Sequence, residues 1–310
     1  MDCSDSFGKG VEVTMTRKKK TKIKKSAEDI VLDLFIYTIL AAITIVTLYP
    51  MWYVVVASIT NSTELIKDPG LMIWPDEIAL GSYRMVFQNA KVLRGFRNSF
   101  IILGLSVPYN VVMTLFTGYF MAKEKMMWKK PIVWMMLLTM YFGGGLIPAY
   151  LNIKDLGLYN TLWALIIPGG VSVYNAIICR TSIQAIPDSL RESAYLDGAN
   201  DIQVMFKIVV PLIKATLAVL ALYYGVAHWN NWMAATIYLK ENELMPIQNV
   251  LRAVLMANQQ LMESGGDDYN EYAETIKYAT IIVSTAPILC IYPFLQKYFV
   301  KGALIGAVKG

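Results

Sequence analysis

Four carboxylates, Asp188, Glu192, Asp197 and Asp201, crowd one short stretch, "DSLRESAYLDGAND". Grouped carboxylates do general acid–base work or hold a divalent cation. Both chemistries need further partners, and the chain supplies few. It has a single histidine, His228, and three cysteines, Cys3, Cys179 and Cys290, at spacings that match no metal or redox motif. No metal site is expected. A phosphate-cradling G-x-x-x-x-G-K-[S/T] loop is absent, and "YFGGGLIP" lacks the lysine such a loop needs. The same stretch reads more simply as two short helices. Asp188 is placed to cap a helix beginning at Ser189, Gly198 suits its left-handed stop, and a second helix runs from Asn200 or Asp201 to about Val209, ahead of Pro211. Leu190, Ala194 and Leu196 then offer an apolar surface, with Glu192 and Asp197 available to a partner.

The elements that must position this segment are apolar. Of the 310 residues 56% are hydrophobic and only 16% charged, where soluble chains carry about 25% charged. This predicts an integral membrane protein. Six stretches are long enough to span a bilayer, which takes about 20 apolar residues: Ile30–Ile59, Asn98–Ala122, Pro131–Leu151, Thr161–Thr181, Ile208–Trp232 and Ile276–Phe299. They are too long and too uniformly apolar for barrel strands. The net charge of +5 is no nucleic-acid stripe, because seven basic residues sit together in Arg17–Lys25, just before the first span. That span is about twice the length of a signal-peptide core and is read as an uncleaved helix. Met15 is a second possible start, since residues 1–14 carry no motif. With both termini inside, the inner segments hold eighteen Lys and Arg against seven outside. The positive-inside rule therefore puts both termini in the cytoplasm. The expected organisation is a basic tail over 1–29, a six-helix domain over 30–300 and a cytoplasmic tail over 301–310. An inner loop spans 187–207 and a long outer loop 233–275.

Three spans are interrupted by glycine and proline, at "GLSVPYN", "YFGGGLIP" and "IIPGGV". Such breaks serve close packing and kinking, or line an aqueous path, where irregular backbone is tolerated. Ionisable groups inside the spans are scarce. Asp33 and Lys214 lie near inner ends, and no acidic or histidine chain crosses the bilayer as in a proton relay. The outer loop is rich in carboxylates and holds a predicted helix, "LMPIQNVLRAVLMANQQLM". It reads as a folded cap or a docking surface. Cys179 and Cys290 are expected to be small buried groups.

The pattern E-S-A-x-x-x-G followed by I-x-V-P, carried by Glu192, Ser193, Ala194, Gly198, Ile208 and Pro211, resembles the signature loop of binding-protein-dependent ABC importer permeases. That family usually has E-A-A-x-x-x-G and I-x-L-P, so Ser193 and Val210 are departures. The resemblance runs from about residue 28 to the end. "WNNW", "GGGLIPAYL" and the closing "KGALIGAVKG" look like the second permease of maltose-type and complex-oligosaccharide systems. It implies an all-α integral membrane protein of the type I ABC importer permease fold, with six transmembrane helices in a bacterial cytoplasmic membrane. It implies four kinds of contact: a different second permease, two cytoplasmic ATPase subunits, an extracytoplasmic solute-binding protein and lipid. The ATP and magnesium would sit on the ATPase, with no cofactor on this chain. Glu192, Ser193, Ala194, Asp197, Gly198 and Ala199, with Ile208 and Pro211, would form the ATPase-coupling segment. Ala194 and Ala199 would allow close approach. Met256, Asn258, Gln259, Gln260 and Glu263 would face the binding protein, and the tail from Lys301 the ATPase interface.

A sugar path combines aromatic faces with amides or hydroxyls, which makes Tyr141, Asn175, Trp229 and Asn230 candidates. Interface anchoring and interhelical hydrogen bonds are the plainer roles for each. Two other readings stay open. One is a membrane enzyme using the four carboxylates. The other is a permease of the same fold for amino acids, phosphate or metal, against which the lack of mid-span Arg and Lys counts for anionic solutes.

Overall fold

The structure, a computed structural model, describes residues 26–67, 70–123, 126–264 and 273–307, without the side chains of 27, 66, 258–264, 273–274, 292 and 294–307. The basic N-terminal tail and residues 265–272 of the outer loop lie outside the described residues. Among those described, the protein is helical, with one isolated bridge between Thr60 and Ile78.

The chain divides after Met51 into two compact units. The first holds most of α1 (Ala27–Ile59), whose Thr38, Thr44 and Thr47 return their hydroxyls to carbonyls four residues back at 2.7–2.8 Å. These three hydroxyls therefore present no unmet donor on the apolar surface.

In the second unit come α2 (Ser62–Lys67), α3 (Gly81–Gln88), α4 (Ala90–Ala122), α5 (Lys129–Tyr141), α6 (Leu146–Asp155), α7 (Trp163–Ile166) and α8 (Val173–Gln184). They are followed by α9 (Asp188–Leu196), α10 (Asp201–Val204), a π-type turn over Met205–Val209, α11 (Val210–Leu212), α12 (Lys214–Trp229), α13 (Trp232–Tyr238), α14 (Ile247–Ser264) and α15 (Ala273–Ala307). Among the described residues two helices, α1 and α4, are long and apolar enough to cross a membrane, and up to four spans are if each bent pair counts as one.

Several expected spans are corrected. The second starts at Ala90 rather than Asn98, where Asn89 caps it by accepting from the Lys91 N–H. The third is two helices, α5 and α6, meeting at 115° across Phe142–Gly145. The fourth is the short α7, a break at Ile167–Ser172, and α8. The fifth starts at Lys214 rather than Ile208, because the chain turns by 84° at Ile213. Pro211 has no N–H for the carbonyl of Lys207, and the helix yields there. Cys179 is buried as expected, but Cys290 is exposed.

α4 is the spine. Gly118 lets α8 press against it: a Cβ at 118 would stand 2.8 Å from both Cβ and Sγ of Cys179. Around that contact Leu115, Tyr119, Ile183, Val204, Met205, Val209 and Leu220 form a closed apolar core. At the other end of α4, Asn98 donates to the carbonyls of Glu243 and Met245 at 2.7 and 3.2 Å, and Arg94 pairs with Glu243 at 3.0 Å. The segment between α13 and α14 is thereby fixed across that end. α14 realises the helix expected in the outer loop.

Candidate functional site

The signature segment is a helical hairpin. α9 begins at Asp188 itself, and its Asp188 side chain pairs with Arg191 instead of capping, which corrects the expected cap. The helix closes as a Schellman turn: Ala199 N–H donates to the Ala194 carbonyl at 2.9 Å and Gly198 N–H to that of Tyr195 at 3.1 Å. Gly198 has φ +82°, as its role as a stop requires. Asn200 then opens α10 with a reciprocal capping box. Its side chain accepts from Gln203 N–H at 2.8 Å, while the Gln203 side chain accepts from Asn200 N–H at 3.0 Å.

What holds the hairpin to the bundle is a cluster that the sequence reading did not find. Lys123, just past α4, pairs with Asp201 at 2.5 Å. The Tyr195 hydroxyl donates to the other Asp201 oxygen at 2.6 Å and meets the Tyr119 hydroxyl at 3.1 Å. The Lys129 ammonium donates to the Lys123 carbonyl, so the start of α5 joins the same knot. The hydrogen bond from Lys123, reinforced by that from Tyr195, holds the Asp201 carboxyl below the usual carboxylate range. Desolvation first, then the bond to Asp201, pushes the Tyr195 phenol upward, so it stays a donor. Tyr195 and Asp201 face each other across a glycine turn, which is a local signal. Lys123 is 78 residues from Asp201, and nothing local marks that pair.

The signature residues divide by where they point. Ala194 is buried among Tyr119, Ile183 and Val204 of this chain, and Ala199 and Ile208 pack against the same core. Their small size and apolarity therefore serve the seat of the hairpin, and Ala194 does not add to the outward surface expected of it. Outward stand Leu190, Glu192, Asp197 and Leu196, the last 89% exposed. Ser193 is exposed, but its hydroxyl donates to the Ser189 carbonyl at 2.8 Å, so it presents little more than an alanine would. Pro211 sits at the bend into α12.

The four path candidates are not brought together: among the described residues no hydrogen bond or ring contact joins two of them. Trp229 is 3% exposed and packs against the stacked rings of Phe96 and Phe100. Asn230 donates to the carbonyl of Val226 at 3.0 Å. Asn175 is buried in the first turn of α8, and Tyr141 is exposed at the end of α5. Met256 is exposed on α14, while the side chains of Asn258, Gln259, Gln260 and Glu263 lie outside the described residues. A second polar group, His228 with Asn110, was also missed.

The comparisons agree on what this arrangement belongs to. The family described as binding-protein-dependent transport system inner membrane component matches residues 77–304. The polygalacturonan/rhamnogalacturonan transport system permease protein YtcP of Bacillus subtilis (strain 168) is 34% identical over 281 residues, covering 90% of this chain and 98% of that protein. Protein LplC of the same organism is 35% identical over 273 residues, covering 87% and 92%. A solved bacterial ABC transporter involved in the import of the acidic polysaccharide alginate has a chain similar to this one at TM-score 0.81 and 26% identity, covering 89% of this chain and 99% of that one. With its signature hairpin formed and seated on the bundle, the chain belongs to the family of binding-protein-dependent transport system inner membrane components, and it is a membrane transport subunit rather than an enzyme.

Proposed function

We propose that this chain is one of two different permease subunits of an ATP-driven importer of oligosaccharides in a bacterial cytoplasmic membrane. Six membrane crossings with both termini in the cytoplasm are part of the same reading. Two ATPase subunits bind ATP and magnesium, and an extracytoplasmic binding protein delivers the sugar to the face carrying α13 and α14. The sugar class rests on similarity along nearly the full length to transport proteins whose descriptions name polygalacturonan/rhamnogalacturonan and the acidic polysaccharide alginate.

The observation that carries the coupling role is the outward ridge of Glu192 and Leu196, four residues apart on one face of α9, with Leu190 also exposed, on a hairpin otherwise tied to the bundle. Bare leucines beside an unpaired carboxylate at an aqueous edge make a protein-docking surface. Glu192 has no hydrogen-bond partner among the described residues and suits a cation of the ATPase. The ridge would move with the ATPase dimer, and the seat around Ala194 would pass that motion to α4, α8 and α12 as a rigid-body shift.

Glu192→Lys tests this. The variant permease pair is expected to reach the membrane intact, while the ATPase subunits are lost from the purified complex and uptake fails. Normal assembly and uptake by Glu192→Lys would overturn the coupling role. Competition for uptake by oligosaccharides, amino acids and phosphate decides the solute, and inhibition by amino acids or phosphate alone would overturn the sugar assignment.

A further inference from the structure

At the break in the fourth span a polar network crosses three helices. Asn110 of α4 is fully buried, and its side-chain amide donates to the carbonyl of Gly169. A carbonyl only accepts, so that edge of the amide is its NH2 group. The other edge, Oδ1, faces His228 Nε2 of α12 at 2.9 Å. Oδ1 also only accepts, so Nε2 carries the hydrogen, and Nδ1 of the neutral ring is a lone-pair acceptor. The neighbouring groups are satisfied among themselves: the Tyr224 hydroxyl meets that of Thr114 at 2.6 Å and accepts from Ser172 N–H at 2.9 Å. No described residue hydrogen-bonds His228 Nδ1.

The depth of this network gives the free acceptor its meaning. Asn110 and His228 stand about 18–21 Å along their helices from the hairpin end, well inside a hydrocarbon core about 30 Å thick. Irregular backbone and polar side chains persist at that depth only when enclosed by protein or facing a water-filled passage. Gly169 is exposed, and a Cβ added there would meet nothing within 4 Å. The break is thus clamped by Asn110 on one side and open on the other, and His228 is anchored to the same amide.

We infer that His228, beside the open break at Gly169, is a sugar-contacting residue of the translocation path, its Nδ1 accepting a hydrogen bond from a hydroxyl of the passing oligosaccharide. The inference rests on the oligosaccharide reading above. It places the contact on the residue just before Trp229, whose ring packs against Phe96 and Phe100, and Asn230, whose amide donates to its own helix. A hydroxyl donor is what a lone-pair acceptor selects, and sugars present many.

The test uses the whole importer reconstituted in vesicles with saturating sugar-loaded binding protein. His228→Leu removes the acceptor, whereas His228→Gln keeps a donor for Asn110 and an acceptor for the sugar. One neutral hydrogen bond corresponds to roughly a two- to tenfold effect. His228→Leu is expected to lose uptake by that factor, with binding-protein-stimulated ATP hydrolysis retained, and His228→Gln is expected to recover most of it. Wild-type uptake by His228→Leu would overturn the inference. So would a parallel loss of ATP hydrolysis, or a Gln variant no better than Leu, since each points to a packing role. A wild-type complex that moves no oligosaccharide would instead sink the sugar reading itself, so the two failures are distinguishable.

Discussion

Asp201 is one of four carboxylates that look available in the sequence, and the fold consumes it. Both its oxygens are engaged, by Lys123 and by Tyr195, so it is a tie between the hairpin and α4 and not a catalytic group. Asp201→Asn keeps the Tyr195 bond and loses the ion pair. Half-exposed pairs of this kind contribute little, so a loss of about 1 kcal/mol or less in the stability of the purified complex is expected. The sign with pH follows from the depressed carboxyl: its contribution is fully present above the ordinary carboxylate range, about pH 4, and is lost only as pH falls through the lower folded value. Melting curves of wild type and Asp201→Asn should therefore keep a constant gap between about pH 6 and 8 and converge only in acid; a gap that closes near neutrality would contradict the assignment. Ser193 makes the opposite case. Its hydroxyl is turned onto its own helix, so Ser193→Ala should change stability by less than about 0.5 kcal/mol and leave ATPase association unchanged. A clear drop in that association would mean the hydroxyl reaches the partner.

At the scale of elements, two glycines do separate jobs. Gly198 needs only its left-handed backbone, because a Cβ there meets open space. Substitution should then follow backbone preference alone, with Asn mildest, Ala next and Val worst, Ala costing roughly 1–2 kcal/mol. Uptake rate and proteolysis of the hairpin would report that order. Gly118 needs only its volume: Gly118→Ala should strain the α4–α8 contact by about 1–3 kcal/mol, and Cys179→Gly in the same chain should relieve it. Their contrast also marks what was legible beforehand. Gly198, the start of the second short helix at Asn200 or Asp201 and the helix in the outer loop are local signals, and each is found where it was expected. The bends are local only in part. Pro211 announces that a helix breaks, but packing of Val209, Ile213 and Leu220 decides that the chain turns by 84°. The Lys123–Asp201 tie, the Gly118–Cys179 contact and the Asn110 bridge to His228 join distant segments and have no local pattern to betray them.

For the whole molecule, α4 acts as a ruler. Arg94 near its start is tied to Glu243, and Lys123 at its end is tied to the hairpin. The residues between them span about 43 Å of helix at 1.5 Å each, close to the full thickness of a bilayer with its headgroups, about 40–45 Å. If α4 crosses the bilayer, as its length and composition allow, the hairpin and the α13–α14 segment lie on opposite faces of the membrane. On the orientation proposed above from the distribution of basic residues, the hairpin would lie on the cytoplasmic face. Single cysteines at Glu192 and Glu243, in a chain whose Cys3 and Cys290 are serine and whose Cys179 stays buried, test both arguments with one membrane-impermeant thiol reagent. In sealed right-side-out vesicles Glu243→Cys should label and Glu192→Cys should not, and inverted vesicles should exchange the two. Labelling of both from one side would refute the opposition set by α4. A clean exchange with the opposite sense would leave α4 spanning the membrane and overturn only the placement of the hairpin in the cytoplasm, and with it any docking of an ATPase on Glu192.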